Sequence, residues 1–416
     1  MSLRNVYTVR RPFPPRAEPR DAAGWPATPH LGWLTVSDLG FVETQRVVLG
    51  TEDDPLVLAN GRALTHVEVA YETYGELSPA RDNAIFVCHA LTGDAHAAGH
   101  HGDPARRGWW DNLIGPGKAL DTDRFFVISP NLLGGCQGTT GPLSTDPATG
   151  KPYGLDFPLL QMSDFVAVHQ RLLAHLGIDR LLAAVGGSLG GMQVLQWLTQ
   201  APEQVTNGVM IASSSRLTAQ NIAFSAVGRE AIMRDPDFHD GRYFELDGPA
   251  SQGPKIGLAI ARMMAHITYL SEEAMTEKFG RRLQDKSGDQ RMGFGVDFEV
   301  ESYLNYQGRT FLDRFDALSY LYLTRVMDYF DAFADPGAAA RIAAAGARAL
   351  IISFDTDWRF DTSHSVRILR TLERARVPVT FREIRSPWGH DSFLLQPPGY
   401  HETVRAFLDR AHEVCG

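Results

Sequence analysis

A serine set among glycines near the middle of the chain has the spacing of a catalytic nucleophile. Ser188 stands in the pattern G-x-S-x-G, between glycine pairs at 186–187 and 190–191. A serine hydroxyl reacts only when a sharp turn exposes it and a base removes its proton, and glycine backbones permit such a turn. Residues 181–185 are apolar enough for a buried strand, and residues 192–197 begin an amphipathic helix. The pattern also occurs in ordinary tight turns, so the strand and helix around Ser188 are what favour a nucleophile.

An acid follows this serine along the chain, as in α/β-hydrolase triads, where the order is serine, acid, histidine. Residues 348–354 form a second apolar strand candidate, and Asp355, Asp357 and Asp361 lie close behind it. The acid must accept a hydrogen bond from one imidazole nitrogen while the other nitrogen takes the serine proton. Spacing alone leaves the choice among the three carboxylates open.

The histidine that best fits a general base is His390. It lies in a loop after a third strand candidate, residues 377–384. The chain has 14 histidines, so the ordinary interpretation of any one of them is a surface or packed side chain. His364 is expected at the start of the helix after the acid loop, and His401 on the C-terminal helix. Of these three, only His390 has the context of a catalytic loop.

Two backbone N–H groups are expected to form an oxyanion hole. Residues 83–88 are a further strand candidate that leads into a loop at 89–94. In α/β-hydrolases the loop after such an early strand supplies one donor, and the residue after the nucleophile supplies the other. The donors are then Leu91 and Leu189. Since only their backbone is used, their side chains give no test of this role.

Six strings of residues stand out along the chain: H-A-L-T-G-D at 89–94, P-N-L-L-G-G-C-Q-G-T-T-G-P at 130–142, G-G-S-L-G-G-M-Q at 186–193, R-E-A-I at 229–232, D-P-D-F-H-D-G-R-Y at 235–243 and G-H-D-S-F-L at 389–394. Together they resemble the homoserine O-acetyltransferases of the α/β-hydrolase superfamily, and the likeness runs from about Phe41 to near the C-terminus. The resemblance implies an α/β fold in which helices flank a mostly parallel sheet. It also implies transfer of an acetyl group from acetyl-CoA, as a co-substrate and with no resident cofactor, to the hydroxyl of L-homoserine in methionine synthesis.

The resemblance assigns roles to individual residues. Ser188 becomes the acyl-accepting nucleophile and His390 the general base. It selects Asp357 as the acid, because the family usually has Thr-Asp before apolar residues at this place. Arg229 and Asp391 become contacts to the substrate.

The chemistry of homoserine is consistent with the last two roles. Homoserine is a zwitterion, so its site needs a cation for the carboxylate and an anion for the ammonium. Arg229 can hold a carboxylate with two hydrogen bonds, and Asp391 is next to the histidine where the reacting hydroxyl must arrive. Without the resemblance, a solvated helix arginine and a loop hydrogen bond explain these residues equally well. The chain departs from the family pattern at Leu189, where methionine is common, and at Arg359, where an apolar residue is more frequent.

The acyl donor and the acceptor have alternatives on the same scaffold. Thr92 and Gly93 are small and offer no extra cation for a succinyl carboxylate, which favours acetyl. A homoserine O-succinyltransferase, a serine O-acyltransferase and a carboxylesterase-type hydrolase are the alternatives, since one triad serves them all. An esterase has no need of a zwitterion site, so Arg229 and Asp391 favour a transferase. Homoserine must accept the acyl group faster than water does, which argues for a site that a lid shields from solvent.

The segment between the nucleophile and the acid can supply this lid. From about residue 217 to residue 334, apolar residues recur at helical spacing, as in 255–269, 272–283 and 314–333. A homodimer is expected to form through these helices. The expected divisions are a loosely ordered N-terminal arm at 1–40, an α/β-hydrolase core at 41–213 and 335–416, and a helical lid insertion at 214–334.

Composition argues against several other classes of protein. A net charge of −9 and an isoelectric point near 5.9 argue against a nucleic-acid partner. The three cysteines, Cys88, Cys136 and Cys415, are odd in number, which makes a disulfide framework unexpected and fits a reducing compartment. Residues 1–40 are rich in proline and arginine and contain no apolar stretch for a signal peptide or a membrane span. A cytoplasmic protein without a membrane partner is therefore expected.

A cluster of histidines follows the loop at 89–94. His96, His100 and His101 lie near Asp94 and Asp103, but their spacing fixes no tetrahedral ligand set. The glycines and alanines between them indicate a loop. No metal site is therefore expected.

Overall fold

The computed structural model describes residues 39–246, 252–284 and 293–415. Except for Leu39 and Gly40, the predicted N-terminal arm lies outside the described residues, as does the side chain of Cys415. Cys88 and Cys136 are free thiols. No helix within the described ranges is long and apolar enough to cross a membrane.

The centre of the fold is a mostly parallel β-sheet, as the sequence predicts. The strands of the described residues are β1 Gln45–Gly50, β2 Leu56–Val57, β3 Ala63–Leu64, β4 Val67–Tyr74, β5 Ala84–Cys88, β6 Phe126–Pro130, β7 Ala183–Gly187, β8 Asn207–Ile211, β9 Arg348–Phe354 and β10 Val379–Ile384. Eight of them form one sheet in the order β1-β4-β6-β5-β7-β8-β9-β10, and β2 pairs with β3. Strands β5 to β10 run parallel, whereas β4 is antiparallel to both β1 and β6. The predicted α/β-hydrolase sheet is confirmed.

The central strands are buried on both faces, which explains their unbroken apolar sequences. Every residue of β5, β7 and β8 is buried. Alternate residues face opposite sides of the sheet, so that Ala184 belongs to one apolar cluster and Val185 to the other. Strand β9 has the predicted bounds. Strand β7 begins later than predicted, because Leu181 pairs with Val205 only as an isolated bridge.

Helices cover both faces of the sheet. They are α1 Met162–Leu176, α2 Leu189–Gln200, α3 Ala219–Met233, α4 Lys255–Tyr269, α5 Glu272–Lys278, α6 Glu299–Phe311, α7 Ala317–Tyr329, α8 Ala338–Ala344, α9 Thr362–Arg374 and α10 Tyr400–Cys415. Helices α1, α2, α8 and α9 pack in the apolar cluster on one face, and α10 packs in the cluster on the other. His364 lies on α9 and His401 on α10, in the helices expected for them.

Among the described residues, six helices, α3 to α8, lie between β8 and β9, and five of them, α3 to α7, lie in the segment for which the sequence predicts a lid. Helix α3 packs against α4 and α7, and α4 packs against α6. Helix α5 is shorter than predicted, because the chain turns through Gly280, whose φ is +52°. Helix α7 starts later than predicted, because Asp316 accepts hydrogen bonds from Leu318 N and Ser319 N and caps its first turn.

Candidate active site

Ser188 occupies a strained turn between β7 and α2. Its backbone has φ +57° and ψ −122°, a conformation that costs energy for any residue with a side chain. Neighbouring glycines permit the turn: a Cβ atom on Gly190 would lie 2.0 Å from Cys88 O, and one on Gly186 would lie 2.3 Å from the carbonyl carbon of Gly190. This strand-turn-helix arrangement has the geometry of a nucleophile elbow, which holds a serine hydroxyl at the carboxyl edge of the sheet.

His390 connects this serine to an acid. It lies in the 3-10 turn Gly389–Leu394 that follows β10, and it is 2% exposed. His390 Nε2 lies 2.9 Å from Ser188 Oγ, and His390 Nδ1 lies 2.7 Å from Asp357 Oδ2. A carboxylate only accepts, so Nδ1 carries the ring proton and Nε2 is free to accept from the serine hydroxyl. The structure thus brings together the serine, histidine and acid that the sequence singles out.

The three candidate acids have different partners. Besides the imidazole, Asp357 binds two backbone N–H groups through Oδ1, those of Arg359 at 3.0 Å and Phe360 at 2.9 Å. Asp355 instead accepts from the backbone of a neighbouring loop, and Asp361 caps α9. Only Asp357 of the three contacts His390. Two fixed N–H donors leave its second oxygen aimed at the imidazole.

The predicted oxyanion donors are Leu91, in the loop after β5, and Leu189, the first residue of α2. Within the described ranges, neither backbone N–H donates a hydrogen bond. The first N–H groups of a helix have no partner within the helix, and its dipole favours negative charge at that end. The N–H groups of Leu91 and of Leu189, which directly follows Ser188, are therefore both open to an acceptor from a ligand.

Arg229 is buried on α3, 7% exposed, rather than solvated. Its Nη2 lies 2.6 Å from Asp328 Oδ2 on α7, and its Nη1 donates to Thr324 Oγ1 at 3.2 Å. Asp328 Oδ1 is buried and has no hydrogen-bond partner among the described residues. Sequence reasoning missed Asp328, since no local pattern reports a contact between two separate helices. The pair holds a cation beside a carboxylate oxygen that is still open to a donor.

Asp391 lies beside His390 in the same 3-10 turn. In the part of the chain that the structure describes, its carboxylate forms no hydrogen bond or ion pair. Desolvation raises the pKa of Asp391 to about 6, against the opposing effects of His390, Arg262 and Lys278. An unpaired, desolvated carboxylate is costly, so this position favours a cationic ligand.

Two arginines from the inserted segment reach the loop after β5, and no sequence pattern predicts either contact. Arg262 on α4 donates to Thr92 Oγ1 at 3.3 Å, and Arg314, just before α7, donates to Thr92 O at 2.9 Å. Both guanidinium groups lie against the Phe311 ring, 4.7 and 5.9 Å from its centroid. Neither forms an ion pair with a described residue, and Arg262 Nε is buried without a partner.

The surroundings of these arginines favour an anion. Desolvation and the charge of Arg262 lower the pKa of the Arg314 guanidinium, although water still reaches the side chain. The charge of Asp94 opposes this lowering, but it does not outweigh desolvation and the repulsion between the two cations. The loop at Thr92 therefore has the cations that its own sequence lacks.

The end of α4 also packs on the catalytic loops. The Tyr269 ring centroid lies 5.9 Å from that of His390. Trp358, next to the acid, donates through Nε1 to the carbonyl that follows α4 at 2.9 Å, and Ser271 Oγ donates to Pro387 O. The inserted helices thus contact both the acid loop and the histidine loop.

No metal is predicted at the histidine cluster. In the described residues, two of its members, His96 and His101, lie with Glu72 in a group whose ligand atoms are close enough to bind a cation. Glu72 is fully buried and accepts hydrogen bonds from His96 Nδ1 at 3.0 Å, His101 Nε2 at 2.7 Å and two neighbouring hydroxyl groups. Although burial opposes it, these donors hold the pKa of Glu72 below its usual range. Every oxygen of the carboxylate already has donors, and the absence of a metal stays a prediction.

Comparison with known proteins identifies the family. The sequence profile of the α/β-hydrolase fold matches residues 83–397. A homoserine O-succinyltransferase of Nocardioides sp. is 64% identical over 372 residues, which cover 89% of this chain and 99% of that protein. This chain belongs to the homoserine O-acyltransferase family of α/β-hydrolases. A homoserine O-acetyltransferase of Mesorhizobium japonicum is 51% identical over 88% of this chain and 93% of its own length.

Solved structures of two kinds resemble this homoserine O-acyltransferase family member. The homoserine O-acetyltransferase from Bacillus anthracis has a TM-score of 0.78 and 26% identity, over 90% of this chain and 98% of its own. Esterase E22 has the same TM-score of 0.78 and 29% identity, over 88% of this chain and 100% of its own. Proteins named as a transferase and as an esterase therefore share this fold, and the fold alone does not decide between the two activities.

Proposed function

We propose that this protein transfers an acyl group from an acyl-CoA thioester to the hydroxyl of L-homoserine, through an acyl-serine intermediate, for methionine synthesis. The observation that carries the proposal is the continuous set of hydrogen bonds from Asp357 through His390 to Ser188, beside the unpaired carboxylate of Asp391. Relatives named homoserine O-acyltransferases, 64% and 51% identical, support homoserine as the acceptor.

In the first half-reaction, Ser188 Oγ attacks the thioester carbonyl carbon while His390 Nε2 takes its proton. The N–H groups of Leu91 and Leu189 stabilise the oxyanion that forms on the carbonyl oxygen. The tetrahedral adduct then expels the sulfur of CoA, which receives the proton from His390. The products of this step are free CoA thiol and an ester on Ser188.

In the second half-reaction, His390 takes the proton of the homoserine hydroxyl, whose oxygen attacks the ester carbon. The same two N–H groups hold the second oxyanion. When this adduct collapses, the bond to Ser188 Oγ breaks and the proton returns to that oxygen. The acyl group is now esterified to homoserine and the nucleophile is regenerated.

The acceptor's two charges have candidate partners. Asp391 lies beside the base and is unpaired among the described residues, which suits the ammonium group. Arg229 has five N–H donors, and its contacts with Asp328 and Thr324 do not use all of them. The remaining donors suit the carboxylate of homoserine. A zwitterion needs both charges, and a simple ester needs neither.

For the acyl donor we propose succinyl-CoA. The sequence of the Thr92 loop alone favours acetyl, and this stays a prediction, but Arg262 and Arg314 bring two cations without ion pairs to the same loop. A succinyl group ends in a carboxylate, for which such guanidinium groups are suited. Relatives named succinyltransferases include two that are 64% and 55% identical.

Acetyl-CoA is the second candidate donor. It is favoured by relatives named acetyltransferases at 51% identity and by the structural likeness to the protein from Bacillus anthracis. Hydrolysis is the third activity that this triad supports, and the likeness to esterase E22 favours it. The inserted helices argue against water as the acceptor, because α4 packs directly on the turn that carries His390. Their role as a lid, a homodimer formed through them and a cytoplasmic location stay predictions.

A matrix of substrates tests the proposal. Purified protein is given succinyl-CoA or acetyl-CoA with L-homoserine, L-serine or no acceptor, and both CoA thiol and the acylated product are measured. We expect succinyl-CoA with homoserine to give the largest kcat/KM. Faster release of CoA without an acceptor than with homoserine would identify a hydrolase and overturn the proposal.

A further inference from the structure

His89, directly after β5, forms hydrogen bonds that the catalytic chain does not use. It is 1% exposed, and its Nδ1 lies 2.6 Å from the carbonyl oxygen of Ala90. A carbonyl oxygen only accepts, so Nδ1 must carry the proton. Nε2 accepts from the backbone N–H of Leu132 at 3.1 Å and shares this donor with Asn131 Oδ1. Nε2 also lies 3.2 Å from that oxygen, and in the Nδ1–H tautomer no hydrogen bond joins these two acceptors. Desolvation lowers the pKa of His89, and this keeps the ring neutral.

The carbonyl that His89 holds belongs to the peptide unit whose N–H is that of Leu91. A trans peptide is planar, and its C=O and N–H point in opposite directions. Fixing the Ala90 carbonyl therefore fixes the direction of the Leu91 N–H, which donates to no other described group. We propose that His89 is a positioning residue that orients this N–H as an oxyanion donor, an inference that rests on the acyl-serine chemistry proposed above.

Two neighbours preserve this arrangement. Gly93 N donates to the same Ala90 oxygen at 3.0 Å, and a Cβ atom on Gly93 would lie 2.9 Å from His89 Cβ and 3.1 Å from its Nδ1. Gln193, buried on α2, donates through Nε2 to the carbonyl of His89 at 2.9 Å. The loop is thus held on both sides of the Ala90 peptide. One of these contacts joins it to α2, the helix that carries Leu189.

A positioning role has a kinetic signature that a packed core histidine lacks. An oxyanion donor acts where charge develops on the carbonyl oxygen, so misdirecting it lowers the rate of acylation at saturation more than it changes KM. Acylation of Ser188 by p-nitrophenyl acetate measures this step directly, through the burst of nitrophenol. The burst needs neither CoA nor homoserine.

The test compares His89→Leu with His89→Asn. Leucine has no donor, whereas the side-chain amide of asparagine can place an N–H near the position of Nδ1. We expect His89→Leu to lower the acylation rate constant about 10- to 100-fold with KM changed less than about threefold, and His89→Asn to recover most of that loss. His401→Leu removes a buried histidine on α10 and serves as the control that keeps the wild-type rate.

Gly93→Ala provides a second route to the same contact, because the added methyl pushes the imidazole from the carbonyl. If His89→Leu fails to fold in thermal denaturation, Gly93→Ala decides, with the same loss of rate expected. A folded His89→Leu that acylates at the wild-type rate overturns the proposal, and so does an asparagine variant as slow as the leucine variant. A wild-type protein that hydrolyses p-nitrophenyl acetate with no acetyl group on Ser188 at any quench time would instead overturn the acyl-serine function itself.

Discussion

The guanidinium of Arg262 on α4 donates a hydrogen bond to the hydroxyl of Thr92, in the loop between β5 and β6, at 3.3 Å. This contact joins the inserted helices to the loop that carries a proposed oxyanion donor. Arg262 Nε has no partner in the described structure, and a second cation, Arg314, separately donates to the carbonyl of Thr92 in the same loop. A cationic site next to the reacting carbonyl suits an acyl group that ends in an anion.

Arg262→Gln and Arg314→Gln are therefore expected to lower activity with succinyl-CoA more than activity with acetyl-CoA. Losing a charge-assisted contact costs about 1.5–3 kcal/mol, or roughly 10- to 150-fold in kcat/KM for succinyl-CoA. Activity with acetyl-CoA should change less than about threefold, since acetyl has no carboxylate. Arg234→Gln, which breaks a surface ion pair with Glu230, is the matched control and should change neither. Equal losses with both donors would remove the succinyl proposal.

Of the two substrates, Arg229 is predicted to contact only homoserine. Arg229→Ala would leave the buried Asp328 with only Arg325 as an ion-pair partner, at 3.4 Å. Arg229→Lys is the cleaner change, because it keeps the charge but not the two-pronged geometry. We expect roughly a 10- to 150-fold loss in kcat/KM for homoserine, with acyl-enzyme formation close to wild type. The two half-reactions are measured separately by rapid quench. A similar loss in both would show that Arg229 supports the fold or the donor site.

The KM for homoserine is predicted to depend on pH through the ionisation of Asp391. Its carboxyl has a pKa raised to about 6 by desolvation, so the group becomes neutral as pH falls below this value and loses its attraction for an ammonium. KM for homoserine should therefore rise below about pH 6, whereas KM for the acyl-CoA should not. Asp391→Asn should abolish this rise and show a high KM at every pH. A rise that persists in Asp391→Asn assigns the titration to another group.

The acid is tested by three matched substitutions. Asp357→Asn removes the acceptor that holds the His390 tautomer, and we expect turnover to fall on the order of 10³- to 10⁴-fold. Asp355→Asn and Asp361→Asn keep an oxygen for the backbone N–H groups they bind, so they should lose little activity. Steady-state kcat of the three folded variants provides the comparison. Severe loss of turnover in Asp355→Asn, with an active Asp357→Asn, would identify Asp355 rather than Asp357 as the acid.

Local pattern was sufficient for much of this structure. The apolar runs around Ser188 and before Asp357 predicted the strands that end at the site, because buried parallel strands leave a clear trace in sequence. The bounds of α5 and α7 were missed, because a left-handed Gly280 and the cap at Asp316 outweigh helical periodicity. Each of these helix ends is set by a single residue, and the spacing of apolar residues over several turns does not report such an effect.

The contacts made by the inserted helices could not be predicted in this way. Arg262 and Thr92 are 170 residues apart, and Arg314 and Thr92 are 222 apart, so no spacing reports their approach. Arg262 also lies within a mostly apolar helix, where a long side chain usually extends to solvent. The proposal of succinyl-CoA as the acyl donor rests on these tertiary contacts rather than on the loop sequence.

The acyl group is predicted to pass through Ser188. Wild-type protein is mixed with succinyl-CoA, and in parallel with acetyl-CoA, without acceptor and quenched within milliseconds for intact mass and peptide mapping. We predict one acyl group on Ser188, removed by homoserine with formation of an equal amount of O-acylhomoserine, and no label or turnover in Ser188→Ala. Turnover at the full wild-type rate with no acyl group on Ser188 at any quench time would contradict the account.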